Sequence, residues 1–278
     1  SDSPLAAAAE GFAKPFSAWA DDRMVLQRIR VALQGGRLVT VRRALGPGLA
    51  EHLAQSLADI AREAPEAFEA TGPWVHGVAE GRVREAVAAR AGEGDGGSAS
   101  WAAERAYAGL VAAAGGGGRS AARPGPCEAV FQERGFFDFR HSNINIGTPG
   151  AAILTRAPAV HRLIEIFSSG AFARWLGRLF GVAAIDEASL YVQGLSVARY
   201  QRSDFSEPHH DHSAERLRLA AVTLHLGEPA RGGEFVWCGP PLRALAPDSG
   251  QLVLFRVHNG SLHFVAPVRG AGGRRRRR

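Results

Sequence analysis

The sequence predicts an α+β chain whose second half folds as one β-sheet packed on another. Two observations carry this. Up to Phe180 the apolar residues recur mostly at three- and four-residue steps, the period of a helix. Beyond it, short β-rich runs between Pro and Gly turns occupy Ser189–Tyr200, Leu217–Leu226, Glu234–Cys238, Gln251–Val257 and Leu262–Val268. A chain of 278 residues with 46% hydrophobic content has enough apolar surface to bury a sizeable core.

Taken in order, residues 1–35 are Ala-rich with helical spacing through Trp19, Met24, Leu26, Ile29 and Leu33, and Gly35-Gly36 ends the pattern. Leu38-Val39-Thr40-Val41 reads as a strand because it is apolar and β-branched. Gly46-Pro47-Gly48 turns the chain into a helix that places Leu49, Leu53, Leu57 and Ile60 on one face, and Pro65 stops it. Between about 70 and 125 the glycine runs at 92–98 and 115–118 read as linkers around helix-capable pieces near 83–91 and 102–113. They lack the Lys-Ser/Thr ending of a phosphate loop. Phe136–Phe139 reads as a strand, with an unusually polar stretch, Arg140–Gly147, beside it. Two helices, Ala159–Phe167 and Ala171–Phe180, follow, the second closed by Gly181.

The expected organisation is an N-terminal helical region, residues 1–130, with a strand near 37–43 and a Gly-rich insertion at 92–125. The β core, 131–278, follows, with the helices packed on it in one continuous unit. No apolar run approaches the roughly 18–20 residues of a membrane span, and the first residues do not read as a secretory signal. The expectation is a cytoplasmic protein with no membrane partner. Two cysteines, Cys127 and Cys238, are too few for a disulfide framework and read as free thiols in a reducing compartment. The net charge is +6, but Arg274–Arg278 carry five of those charges, so the rest of the chain is nearly neutral. That distribution argues against a nucleic-acid-binding face on the folded body, although the polybasic end could dock nucleic acid or an acidic partner.

The chemistry concentrates in Tyr200–His212, which reads Tyr-Gln-Arg-Ser-Asp-Phe-Ser-Glu-Pro-His-His-Asp-His. On a strand, His209 and Asp211 point to one side and His210 to the other. With a third imidazole they would make a 2-His-1-carboxylate triad, which holds a divalent iron by one face and leaves the opposite positions open. At this spacing alone, a polar loop with a satisfied histidine is the competing reading.

The remaining pieces follow in a fixed order: Arg199-Tyr200, Glu207-Pro208-His209-His210-Asp211, a strand from Arg218 to Leu226, Gly232-Gly233-Glu234, Pro247 to Gly250, Leu252–Phe255 and His263 before Pro267-Val268. In this order and spacing, residues 189–275 resemble the prolyl-4-hydroxylase-like branch of the iron(II)/2-oxoglutarate-dependent dioxygenases. The resemblance reaches 37–62 more weakly. It implies a double-stranded β-helix, or jelly roll, and His209, Asp211 and His263 as ligands of Fe(II). It further implies 2-oxoglutarate as co-substrate with O2, and ascorbate as a supporting reductant. Tyr200 would line the co-substrate pocket, and His225 would stand where the family commonly carries a hydrogen-bonding Tyr. A cation beyond the distal His would anchor the far carboxylate, with Arg274 the first candidate and Arg275 the second. Trp237 and Arg202 would border the mouth; His210, His212 and His258 are surplus to the metal.

The implied reaction is hydroxylation of an unactivated C–H bond in a prolyl or other amino-acid residue, a free amino acid or a small natural product. 2-Oxoglutarate would go to succinate and CO2. Two alternatives stand beside it. One is a cupin-like metal-dependent isomerase or dioxygenase that needs no 2-oxoglutarate. The other is a non-catalytic β-sandwich that binds a partner.

Overall fold

The computed structural model describes residues 16, 18–46, 48–71, 127, 139–181, 194–202, 204–211, 218–227, 230–239, 241–258 and 260–271. The insertion at 92–125, the helical pieces near 83–91 and 102–113, His212, Arg274 and Arg275 lie outside these residues. Four α-helices are described: α1 (Arg23–Gln34), α2 (Leu49–Glu63), α3 (Pro158–Ser168) and α4 (Gly170–Phe180). The strands are β1 (Val39–Val41), β2 (Glu69–Thr71), β3 (Phe139–Asn145), β4 (Ser196–Arg199), β5 (Phe205–His209), β6 (Ala220–His225), β7 (Ala230–Arg231), β8 (Phe235–Trp237), β9 (Arg243–Leu245), β10 (Gln251–Arg256), β11 (His263–Val265) and β12 (Gly270–Ala271).

Helices α1 and α4 start where the sequence supplies a side-chain cap. Asp22 accepts from the N–H groups of Met24 and Val25 at 2.8 and 3.1 Å, satisfying two of the orphan donors at the start of α1. Ser169 does the same for α4 through Phe172. Gly181 ends α4 at φ 73°, a left-handed conformation that glycine adopts without a Cβ penalty. Leu53 and Ile60 of α2 are buried as the spacing predicts, and Pro65 lies just past its end. Met24, by contrast, is 65% exposed: it sits on the outer face of α1, opposite Ile29 and Leu33.

The strands form two main antiparallel sheets, ordered β1-β10-β6 and β2-β3-β5-β11-β8-β9, with β4 paired to β3, plus a small β7–β12 ribbon. Strand β10 shows how the layers meet. Leu252 and Leu254 point into the core shared with the helices, and Val253 and Phe255 into the core shared with Phe235 and Trp237 of β8. Burial on both faces is why β10 reads as a continuous apolar run and not as an alternation. The predicted α+β class with its sheet-on-sheet core is what the chain adopts.

Three expectations need correction. Of the strand expected at 136–139, residues 136–138 lie outside the described residues, while the polar stretch after it, read as no element, is itself strand β3, Phe139–Asn145, hydrogen-bonded to β2, β4 and β5. The cysteines are not free: Cys127 and Cys238 are joined in a disulfide across 111 residues. Cys127 is 3% exposed among Val236, Leu262 and Phe264, so the bond sits in an apolar cluster. Trp237 does not border a mouth; it is 2% exposed and packs on Phe255 with ring centroids 5.2 Å apart. Among the described residues no helix is long and apolar enough to cross a membrane.

The Gly-Gly-Glu turn has a strict backbone requirement. Gly232 has φ +76°, and a Cβ there would lie 2.0 Å from the carbonyl oxygen of Pro267. Gly232→Ala is therefore expected to lose about 1–2 kcal/mol from the left-handed backbone alone, with a further loss from displacing that carbonyl. Urea unfolding of the two proteins measures it, and an unchanged midpoint would contradict it.

Candidate metal centre

The site is assembled by one rung of a β-ladder. His209 ends β5 and His263 begins β11, and the two are direct cross-strand partners with ring centroids 4.4 Å apart. Directly opposed residues of an antiparallel pair have neighbouring side chains, so the sheet itself sets this approach. Asp211 lies two residues beyond the end of β5, and its Oδ2 is 3.9 Å from Nε2 of His263. One donor atom from each of His209, Asp211 and His263 falls within 4.8 Å of the other two. His210 and His258 take no part in this cluster. His258 closes its own turn, where its Nδ1 accepts from the Gly260 N–H at 2.9 Å.

The hydrogen bonds around the three residues suit them to a cation. Nδ1–H of His209 donates to the carbonyl oxygen of Glu207 at 2.7 Å, and Nδ1–H of His263 donates to that of Ser261 at 2.9 Å. A carbonyl can only accept, so each ring carries its proton on Nδ1 and presents a bare Nε2 lone pair. Arg218 donates from Nη1 to Oδ1 of Asp211 at 3.4 Å, leaving Oδ2 toward His263. Two imidazole nitrogens and one carboxylate oxygen are the donor set for a divalent transition metal with open positions. Phe235 and Phe255 back His263 at 5.3 and 4.8 Å, an apolar shell that limits water.

Burial pushes His209 down to about 4, and the neighbouring His263 adds to the shift. It is therefore neutral at pH 7. Burial also lowers His225 and His141, while it raises the Tyr200 phenol with help from the Asp204 carboxylate. The sign for stability follows. A histidine with a depressed folded pKa binds a proton more readily when unfolded, so stability falls as pH drops below about 6.5. The unfolding midpoint of metal-free protein is expected to fall steadily from pH 7 to pH 5; a flat profile would contradict the burial of these rings.

The three residues open onto a cavity of about 1680 Å³, larger than the roughly 300–1,000 Å³ of an ordinary small-molecule site. Tyr200, His225, His141 and Arg218 also line it. Tyr200 stacks on His141 with centroids 4.8 Å apart. His225 is held through Nδ1 by Oε1 of Gln251 at 3.1 Å, a side-chain partner and not a backbone carbonyl. Sequence reasoning did not single out His141, Gln251 or Arg218 for the site. The polarity of Arg140–Gly147 was a usable signal for His141, as was the lone polar residue opening the apolar run of β10 for Gln251.

Two histidines on paired neighbouring strands, with a carboxylate just beyond the end of one of them, form a donor set that could hold a divalent metal. Residues 195–278 match the model of the 2OG-Fe(II) oxygenase superfamily. No curated protein matches the chain.

Solved structures to which the chain is similar include a 2OG-Fe(II) oxygenase family oxidoreductase from Burkholderia pseudomallei. It is 20% identical, with a TM-score of 0.35, covering 48% of this chain and 61% of that one. A Trichoplax adhaerens prolyl hydroxylase, in complex with a hypoxia inducible factor peptide fragment, is 12% identical, with a TM-score of 0.47, covering 91% and 89%. A Pseudomonas putida prolyl-4-hydroxylase is 13% identical, with a TM-score of 0.36, covering 87% and 91%. All three likenesses are loose.

Proposed function

We propose that the chain hydroxylates an unactivated C–H bond, using Fe(II) held by His209, Asp211 and His263 and 2-oxoglutarate as co-substrate. The observation that carries this reading is the arrangement of the three residues: both imidazoles hold Nδ1 against a backbone carbonyl, and one donor atom from each of His209, Asp211 and His263 falls within 4.8 Å of the others. When bound, iron and 2-oxoglutarate together reduce O2, one oxygen atom entering succinate with loss of CO2 and the other entering the C–H bond.

The chain's own residues position and enclose. Arg218 fixes the rotamer of Asp211. Tyr200, kept as a phenol, and His225 supply hydrogen-bonding groups along the cavity wall for the co-substrate. The phenylalanines behind His263 limit water near the reacting atoms. The far carboxylate of 2-oxoglutarate needs a cation, and Arg274, with Arg275 second, is proposed for it because a guanidinium pairs bidentately with a carboxylate. The substrate class proposed is a prolyl or other amino-acid residue, a free amino acid or a small natural product.

The test is succinate formation by anaerobically purified protein supplied with Fe(II), 2-oxoglutarate, ascorbate and O2. Steady succinate production supports the reading; neither succinate nor metal binding would sink it. Metal binding without succinate would favour either turnover strictly coupled to the prime substrate or the cupin-like alternative. For the anchor, Arg274→Gln is expected to raise the KM for 2-oxoglutarate about tenfold to a hundredfold, the loss of a charge-assisted bond of about 1.5–3 kcal/mol. If neither Arg274→Gln nor Arg275→Gln moves KM, the anchor lies elsewhere.

A further inference from the structure

A second concave site lies away from the metal centre and shares no residue with its cavity. It is a cleft of about 450 Å³ between α1, the residues leading into β1 and the start of β9. Arg28 comes from α1, Arg37 from the connection and Arg243 from β9, so three separate elements contribute arginines to the lining of one cleft. All three arginines are exposed, and none has an ion-pair partner among the described residues. Helix α1 carries three arginines and no acidic residue, and Asp22 at its start is occupied in capping. With the C-terminal arginines set aside, the chain is almost neutral, so this concentration of positive charge is local.

We propose that this cleft binds a small organic anion carrying two or more phosphate groups. Three arginines lining one concavity suit a ligand with several oxyanion faces, since a guanidinium can pair bidentately with a phosphate. A single carboxylate would leave most of that charge unanswered. The volume falls within the range of small-molecule sites. Val31, Ala32 and Leu38 give the cleft an apolar side where the organic body rests, and Gln27 adds an amide that can donate or accept. The repulsion among three unpaired cations is relieved only when the anion is present, which makes binding steeply dependent on ionic strength.

The experiment is calorimetric titration of the intact, metal-free chain with inorganic pyrophosphate and with ADP, at fixed ionic strength and with sulfate as the comparison. Arg37→Gln and Arg243→Gln are each expected to weaken binding of both probes at least tenfold, and the double variant about a hundredfold. Arg243→Lys, which keeps the charge and loses the fork, is expected to fall between. All three are exposed replacements, so their unfolding midpoints should match the parent protein. Replacing Arg274–Arg278 by glutamine separates this site from the polybasic end: binding that survives there supports the cleft. Binding that disappears with the tail, or that persists in the double variant, overturns it. Sulfate binding as tightly as pyrophosphate also overturns it, since the surface would then be a general cationic patch.

Discussion

His209→Ala is expected to abolish both metal retention and succinate formation, with metal affinity falling by more than a hundredfold. Removing a group that merely supports a metal ligand already costs about 10–100-fold in affinity, and His209 is proposed as a ligand itself. The loss is to be read by titration with Mn(II) and, in parallel, by succinate production. His209 ends its strand, and the β5–β11 pairing continues at Ser206 and Val265, so the sheet should survive the change. An unchanged circular dichroism spectrum beside lost metal binding is the result expected. Metal affinity equal to that of the parent protein would remove His209 from the ligand set.

The second large effect concerns the disulfide. Cys127 and Cys238 close a loop of 111 residues, and constraining a loop of that length in the unfolded chain contributes roughly 4–5 kcal/mol in the chain-entropy treatment. Cys127→Ser, Cys238→Ser and reductant are each expected to lower the urea midpoint by an amount of that order. They should not be additive with one another, since each removes the same bond. A thiol count on unfolded protein purified without reductant gives the independent check: no free thiol is expected, and two per chain would contradict the bond. That bond also bears on the expectation of a reducing compartment, which rested on reading the thiols as free.

The helices, strand β1 and the β-rich half were legible because their apolar residues repeat at the periods of the elements they form. Strand β5 was harder to read. It carries Ser206, Glu207 and Pro208 buried at its centre, the reverse of an apolar alternation, and proline normally argues against a strand interior. Its ligands were found through the motif and not through the strand. β3 was hidden for a related reason: five of its seven side chains are polar, so the strand shows in its backbone pairing with three others. The cysteine pairing was illegible because residues 111 apart carry no local trace of contact. Trp237 misled because an aromatic residue near a site motif fits a rim and a core equally well, and only the packing of β8 on β10 decides between them.

Strand β11 has a particular place in all this. It lies between β5, which brings His209 opposite His263, and β8, which brings Trp237 opposite the same residue with Cys238 next in the chain. A bound metal would tie β11 to β5, while sulfur secures the end of the strand on its other side. The two restraints answer to different reagents, a chelator for the first and a thiol for the second. Their common effect is on the order in which the molecule opens. The amides of β11, centred on the fully buried Phe264, should be the slowest in the chain to exchange with solvent, and only the two reagents together should bring them to the rate of their neighbours.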